Sequence, residues 1–191
     1  MPFEKFDVTK LDRLNNEARF ELLPPKEMWH ALGDPAPLTV IDIGAGTGLF
    51  ARRFAEMAPL ARVYAVDASP VMVDWMRDHL PSALAERVIP VLGHETIVPL
   101  EGGAADLVVM IHLHHELADP AASYLEALRL LRSGGQILVV DWAPGGEAGG
   151  PPQAVRAPAD AIASMLSHAG FVDVTTHAQL ARDSMITARR P

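Results

Sequence analysis

Cysteine is absent from the 191-residue chain. Disulfides, thiolate zinc sites, iron–sulfur clusters and a cysteine nucleophile are therefore excluded. Long hydrophobic runs are also lacking. The longest, LVVMI (107–111), is far too short to cross a bilayer. Positive charge is in deficit, with 16 Lys+Arg against 24 Asp+Glu and a formal net charge of −8. That balance disfavours wholesale binding to a phosphate backbone, so no nucleic-acid partner is expected. The opening segment MPFEKFDVTKLDR is charged and has no signal-peptide apolar core. The expectation is a soluble, cytoplasmic protein with a small-molecule partner and no membrane association. Nothing in the sequence sets its oligomeric state. The length suits one domain over 1–191, with a core that needs no covalent staple.

What the chain does have is alternation. Near-continuous apolar runs at Leu38–Ile43, Arg62–Val66, Val88–Leu92, Asp106–Ile111 and Gln136–Val140 read as strands buried on both faces of a parallel sheet. Helical patterns lie between them. Ser69-Pro70 opens one helix, with Met72, Val73, Met76 and Leu80 at helical spacing. Asp119-Pro120 opens another, whose expected buried stripe is Tyr124, Leu125, Leu128 and Leu131, ended by Ser133-Gly134-Gly135. A third carries Ile162, Met165, Leu166 and Ala169 and stops at Gly170. Two closing strands, Phe171–Thr176 and Ser184–Ala188, are too close for a crossover helix, so one is expected to be antiparallel. Together these predict a Rossmann-like, doubly wound α/β fold. PPKEMWHAL (24–32) reads as a short helix within an N-terminal cap segment, 1–33, and PGGEAGGPP (144–152) as a loop.

The stretch IDIGAGTGLF (41–50) joins the first strand to a helix through Gly44, Gly46 and Gly48. A pyrophosphate-binding turn usually has the spacing G-x-G-x-x-G; here it is G-x-G-x-G, with Asp42 just before it. A carboxylate at that mouth repels pyrophosphate and suits an ammonium or sulfonium group. The spacing therefore favours S-adenosylmethionine over a dinucleotide. Asp67, at the end of the second strand, is placed to accept hydrogen bonds from both hydroxyls of an unphosphorylated ribose.

With these residues the chain resembles the class I S-adenosylmethionine-dependent methyltransferases, in the small-molecule branch that includes ubiquinone- and menaquinone-type enzymes. VIDIGAGTG (40–48), VDASPVM (66–72), LRSGGQILVVD (131–141) and HAGF (168–171) carry the resemblance, with Ser133 where proline is usual. It implies a seven-stranded sheet in the order 3-2-1-4-5-7-6, mostly parallel, with strand 7 antiparallel. It implies S-adenosyl-L-methionine as cofactor and S-adenosylhomocysteine as product. The cofactor contacts so implied are Asp42, Gly44, Ala45, Gly46, Thr47, Gly48, Asp67, Ala68, Met72 and Ile111. Where the family usually has Gly-Asp near the adenine, this chain reads LGHET, which leaves His94 and Glu95 as alternatives.

IHLHHEL (111–117) follows the fourth strand at the edge expected to face substrate. No Asp or Cys pattern completes a metal site there, so none is expected. As candidate proton-handling groups, His114 and His115 are favoured over His112, with Asp141 at the end of the fifth strand. Arg156 could bind an anionic substrate or lie solvated at the surface. Methyl transfer needs mainly alignment of nucleophile, methyl and sulfur with water excluded. The DNA-amino motif N/D-P-P-Y is missing, and arsenite methylation would need cysteines. The expected function is a methyltransferase acting on an unidentified small molecule. The alternatives are an NAD-dependent oxidoreductase, or a non-catalytic module that binds the cofactor or its demethylated product.

Overall fold

The computed structural model of the protein describes residues 11–145 and 150–191. Residues 1–10 of the expected N-terminal cap segment and residues 146–149 of the Gly/Pro-rich loop lie outside the described residues.

Three short helices, α1 (Leu11–Leu14), α2 (Arg19–Leu22) and α3 (Pro25–Ala31), precede the first strand. Then come β1 (Thr39–Ile43), α4 (Leu49–Met57), β2 (Arg62–Asp67), α5 (Pro70–His79), β3 (Val88–Leu92) and β4 (Ala105–Ile111). The chain continues through α6 (Pro120–Leu130), β5 (Leu131–Trp142), α7 (Ala159–His168), β6 (Val172–His177) and β7 (Asp183–Arg189). The seven strands form one sheet in the order β3-β2-β1-β4-β5-β7-β6, and β7 runs antiparallel to both its neighbours. This is the order and the antiparallel strand that the resemblance implied.

Strand geometry divides the core in two. Successive side chains point to opposite faces of a sheet. Val40, Leu107, Val109, Leu138 and Val140 accordingly pack with α3 and α4, while Ile41, Val108, Met110, Ile137 and Val139 pack with α6 and α7. Asp42 shares the parity of Val40, which turns its carboxylate toward the α4 side at the carboxyl end of β1. The order reverses between β1 and β4, where neighbouring crossovers leave the sheet in opposite directions. A crevice at that point is the usual ligand site of such sheets.

Several local expectations need correcting. Helix α6 stops at Leu130 rather than running to Ser133, because Leu131 already pairs with Ala105 in the sheet. Leu125 is exposed rather than buried, and the buried stripe runs through Tyr124, Ala127 and Leu130. Met165 likewise borders solvent. The N-terminal segment is not a cap throughout. Met28, Trp29 and Leu32 belong to the core, with Trp29 stacked on Phe54 at a ring separation of 5.5 Å. Among the described residues of that segment, those in and around α1 and α2 face the crevice.

Candidate functional site

A cleft of about 1160 Å³ opens at the carboxyl ends of β1, β2, β4 and β5. One end is built from backbone turns. Gly44, Gly46 and Gly48 all have positive φ, a region L side chains rarely enter. A Cβ on Gly44 would lie 2.7 Å from Leu113, whereas one on Gly46 would meet no protein atom within 4 Å and would stand in the cleft. Asp67 fixes the loop from below. Its Oδ2 accepts from the Gly46 N–H at 2.8 Å and its Oδ1 from the Ser69 N–H at 2.9 Å. A carboxylate has about four lone-pair sites, so these two bonds leave capacity for a ligand. Burial raises the Asp67 pKa, and those backbone N–H groups work against the rise.

Asp42 is buried, and its Oδ2 has no partner. Burial, reinforced by the neighbouring Asp67 charge, pushes its carboxyl pKa up to about 8. The Thr47 hydroxyl is likewise buried and unpartnered. Native proteins rarely leave such groups unsatisfied, so both mark a place where a polar ligand belongs. Arg19 of α2 reaches the same place from the N-terminal segment and interacts favourably with Asp42 and Asp183. Its guanidinium donates to the Leu14 carbonyl at 3.0 Å and lies 5.2 Å over the Phe50 ring. Burial, with Arg13 nearby, lowers its pKa. No local pattern in RFEL (19–22) signals this placement.

Of the expected cofactor contacts, Asp42, Gly44, Ala45, Gly46, Thr47, Asp67, Ala68, Met72, His94, Glu95 and Ile111 all line the cleft. Gly48 does not. It is the N-cap of α4, held against Met76, where a Cβ would sit 3.0 Å from sulfur. His94 is exposed and pairs its backbone with Ile97, while Glu95 accepts from the Ala118 N–H at 3.2 Å.

The other end is built from side chains. Residues 112–116 turn sharply after β4, with His112 at φ 55°. His115 faces the cleft and donates through Nδ1 to Asp141 Oδ1 at 2.9 Å, while Glu116 Oε1 lies 3.6 Å from its Nε2. Asp141 is fully buried and also accepts from the Trp142 N–H. It is outside the cleft wall, so it can act only by holding His115.

His114 is a correction. It turns into the core, 2.7 Å from the Tyr124 hydroxyl, and burial lowers its pKa. The tight turn sends adjacent side chains to opposite sides, so only one of the two can reach the cleft. His112, ranked behind it on sequence, does line the cleft. It donates through Nε2 to Asp183 at 2.6 Å and stacks on Trp142 at 4.6 Å. Arg156 is neither a surface residue nor a wall of the cleft. It is buried, bonds the Pro151 carbonyl and lies 5.3 Å from the Trp142 ring. Among the described residues, no group of three or more metal-binding side chains converges.

A methyltransferase-domain family model matches residues 41–139, more than half of the chain. This chain belongs to the methyltransferase family. An uncharacterized methyltransferase of Mycobacterium tuberculosis is 35% identical over 116 residues, covering 61% of this chain and 44% of that protein. A malonyl-[acyl-carrier protein] O-methyltransferase of Hahella chejuensis is 35% identical over 102 residues, covering 53% of this chain and 36% of the other. The chain thus spans less than half the length of these curated relatives. A crystal structure of a SAM-dependent methyltransferase from Aquifex aeolicus superposes with a TM-score of 0.89 at 23% identity, covering 97% of this chain and all of that one. The family match sets the glycine turn of this methyltransferase domain apart from the NAD-type turn weighed on sequence.

Proposed function

We propose that this domain binds S-adenosylmethionine at the glycine-loop end of the cleft and directs its methyl group to a small molecule held at the histidine end. The observation that carries the reading is Asp42: a buried carboxylate with an unpartnered oxygen, aimed where a cation would relieve it. The amino-acid end of the cofactor is a zwitterion, and the chain offers an opposite charge for each pole. Asp42 takes the ammonium and Arg19 the carboxylate. The free lone pairs of Asp67 take the ribose hydroxyls, and Gly46 leaves the room a side chain would fill. His94 and Glu95 flank the adenine end. The bound cofactor supplies a methyl group already activated on a sulfonium.

The chain's own work is then alignment, dryness and one proton. His115, its Nδ1–H fixed by buried Asp141, presents Nε2 as the base for an acceptor's proton. Glu116 beside Nε2 stabilises the imidazolium that results. Segment 11–23 and residues 150–155 cover the acceptor end as a lid that admits substrate and excludes water. Hydrogen exchange with and without S-adenosylhomocysteine tests the lid. Equal exposure of both segments in the two states, while the glycine loop gains protection, would refute it.

Calorimetry with S-adenosylhomocysteine and with NADH tests the cofactor reading. Saturable binding of the former alone is expected. Binding of NADH alone, or of neither, would overturn it.

A further inference from the structure

The acceptor end of the cleft holds a cation that none of the described residues neutralises. Arg182, just before β7, lines the cleft beside Trp142, with its Cζ 5.9 Å from the ring centre. Its Nε is buried and has no hydrogen-bond partner. The Nε atoms of Arg52 and Arg53 are unpartnered too, but those guanidiniums are satisfied through other nitrogens, Arg52 by Asn15 and Arg53 by Glu56. Among the described residues, Arg182 has no carboxylate within ion-pair distance and no side-chain hydrogen bond. A guanidinium half withdrawn from water without an acceptor is costly, and folded proteins normally supply one.

None of the described carboxylates of the cleft lies within ion-pair distance of Arg182; each sits beside another group. Asp183, the sequence neighbour, is taken by His112 at 2.6 Å. Asp67 holds two backbone N–H groups, and Glu95 holds the Ala118 N–H. Glu116 sits by His115. Asp42 is at the cofactor end with Arg19. Among the described residues none completes Arg182, which leaves its guanidinium open to an anion that enters the cleft.

The setting supplies a second constraint. His112 is held in the left-handed region by three contacts: its N–H to the Val140 carbonyl at 2.7 Å, its Nε2–H to Asp183, and its stack on Trp142. A non-glycine residue there is strained and persists only where the surroundings over-determine it. Those contacts spend Asp183 on an imidazole and keep it from pairing with Arg182 next door.

We infer that Arg182 is the anchor for an anionic group on the methyl acceptor, so that the protein selects small acids, with a carboxylate as the simplest match to the guanidinium fork. Trp142 and Val155 form the apolar wall against which the body of the acid lies. The inference rests on the methyltransferase reading for the word acceptor; the anion subsite itself does not depend on catalysis.

The test uses a matched pair of probes, phenylacetate and phenylacetamide, added to the 191-residue chain saturated with S-adenosylhomocysteine and followed by ligand-observed NMR titration. The acid is expected to bind about tenfold more tightly than the amide, the difference one charge-assisted contact gives in a partly wet site. Arg182→Gln should erase that preference while binding S-adenosylhomocysteine as the wild type does, and Arg182→Lys should restore part of it. Equal binding of acid and amide, no saturable binding of the acid, or a preference that survives in Arg182→Gln would overturn the inference. Failure of the wild type to bind S-adenosylhomocysteine would instead count against the cofactor reading. The acid–amide comparison, repeated without S-adenosylhomocysteine, would then still decide the anion subsite.

Discussion

The two ends of the cleft are made differently. The glycine-loop end uses main chain: a loop of positive-φ glycines, fixed from below by one carboxylate that spans two backbone N–H groups. The histidine end uses side chains from segments far apart in the chain: His112 and His115 after β4, Trp142 at the end of β5, Arg182 just before β7 and Asp183 at its first position. Main-chain geometry gives a site whose shape changes only if the backbone does. Side chains on separate segments can be exchanged one at a time without moving the sheet. The first end is therefore suited to a constant ligand, the second to an acceptor that differs from one member of the family to another.

Five substitutions, one of them a control, sharpen or break this contrast. The largest effect is expected from Gly46→Val. A β-branched residue at φ 56° is strained, and its side chain would fill the open space in the cleft. Loss of detectable S-adenosylhomocysteine binding by calorimetry is expected, with a stability loss of only about 1–2 kcal/mol. Wild-type affinity in this variant would show that the loop is not the cofactor cradle.

Next comes His115→Gln, with a drop in kcat of about 10²–10⁴-fold and little change in cofactor affinity. His114→Gln is its control. Because His114 meets Tyr124 in the core, that change should lower the melting temperature and leave kcat nearly intact. The reverse outcome would reassign the base.

Asp67→Ala is third. It removes the ribose acceptors, each charge-assisted bond being worth about 1.5–3 kcal/mol, and strips the Gly46 and Ser69 N–H groups of their partner. Affinity should fall at least about tenfold and stability with it. An affinity loss without a stability loss would mean that the loop holds its shape unaided.

The smallest effect is the most diagnostic. Asp42 has a folded pKa raised to about 8, so the native state binds its proton more tightly than the unfolded chain does. Its ionisation therefore erodes stability as pH rises from the ordinary carboxylate range toward 8. Asp42→Asn should be more stable than the wild type at pH 8, by roughly 1–3 kcal/mol, and should bind the cofactor more weakly. In the wild type, S-adenosylhomocysteine affinity should increase between pH 6 and 8, with proton release visible when calorimetry is repeated in buffers of different ionisation heat. A pH-independent affinity would remove Asp42 from the ammonium site.

The difference between the two ends also decides how much could be read in advance. The strand sequence, the position of the glycine turn and the acid closing β2 are contiguous patterns, and all lie where their local chemistry implied. Periodicity failed only in detail, as at Leu125, where helical spacing cannot tell which apolar residue meets the sheet. Gly48 shares the motif with Gly46, and the motif alone implies a ligand contact for both. The backbone instead uses Gly48 to start α4.

At the acceptor end, composition could nominate a cluster of histidines but not sort it. His112, His114 and His115 differ by one or two positions, and a turn with one residue at φ 55° sends them to Asp183, Tyr124 and Asp141 respectively. Each of those partners comes from another element, 10 to 71 residues away. Arg19 and Arg182 carry no local signal at all.

The sequence by itself determined the sheet, the turn and the chemistry of the loop, because hydrogen bonding and side-chain alternation act between near neighbours. Only the tertiary structure decided which histidine faces the cleft, which arginine lacks a counter-ion and which carboxylate is left without a partner. Those are properties of the space between distant segments, and burial and charge pairing there are set by packing rather than by any residue's immediate neighbours.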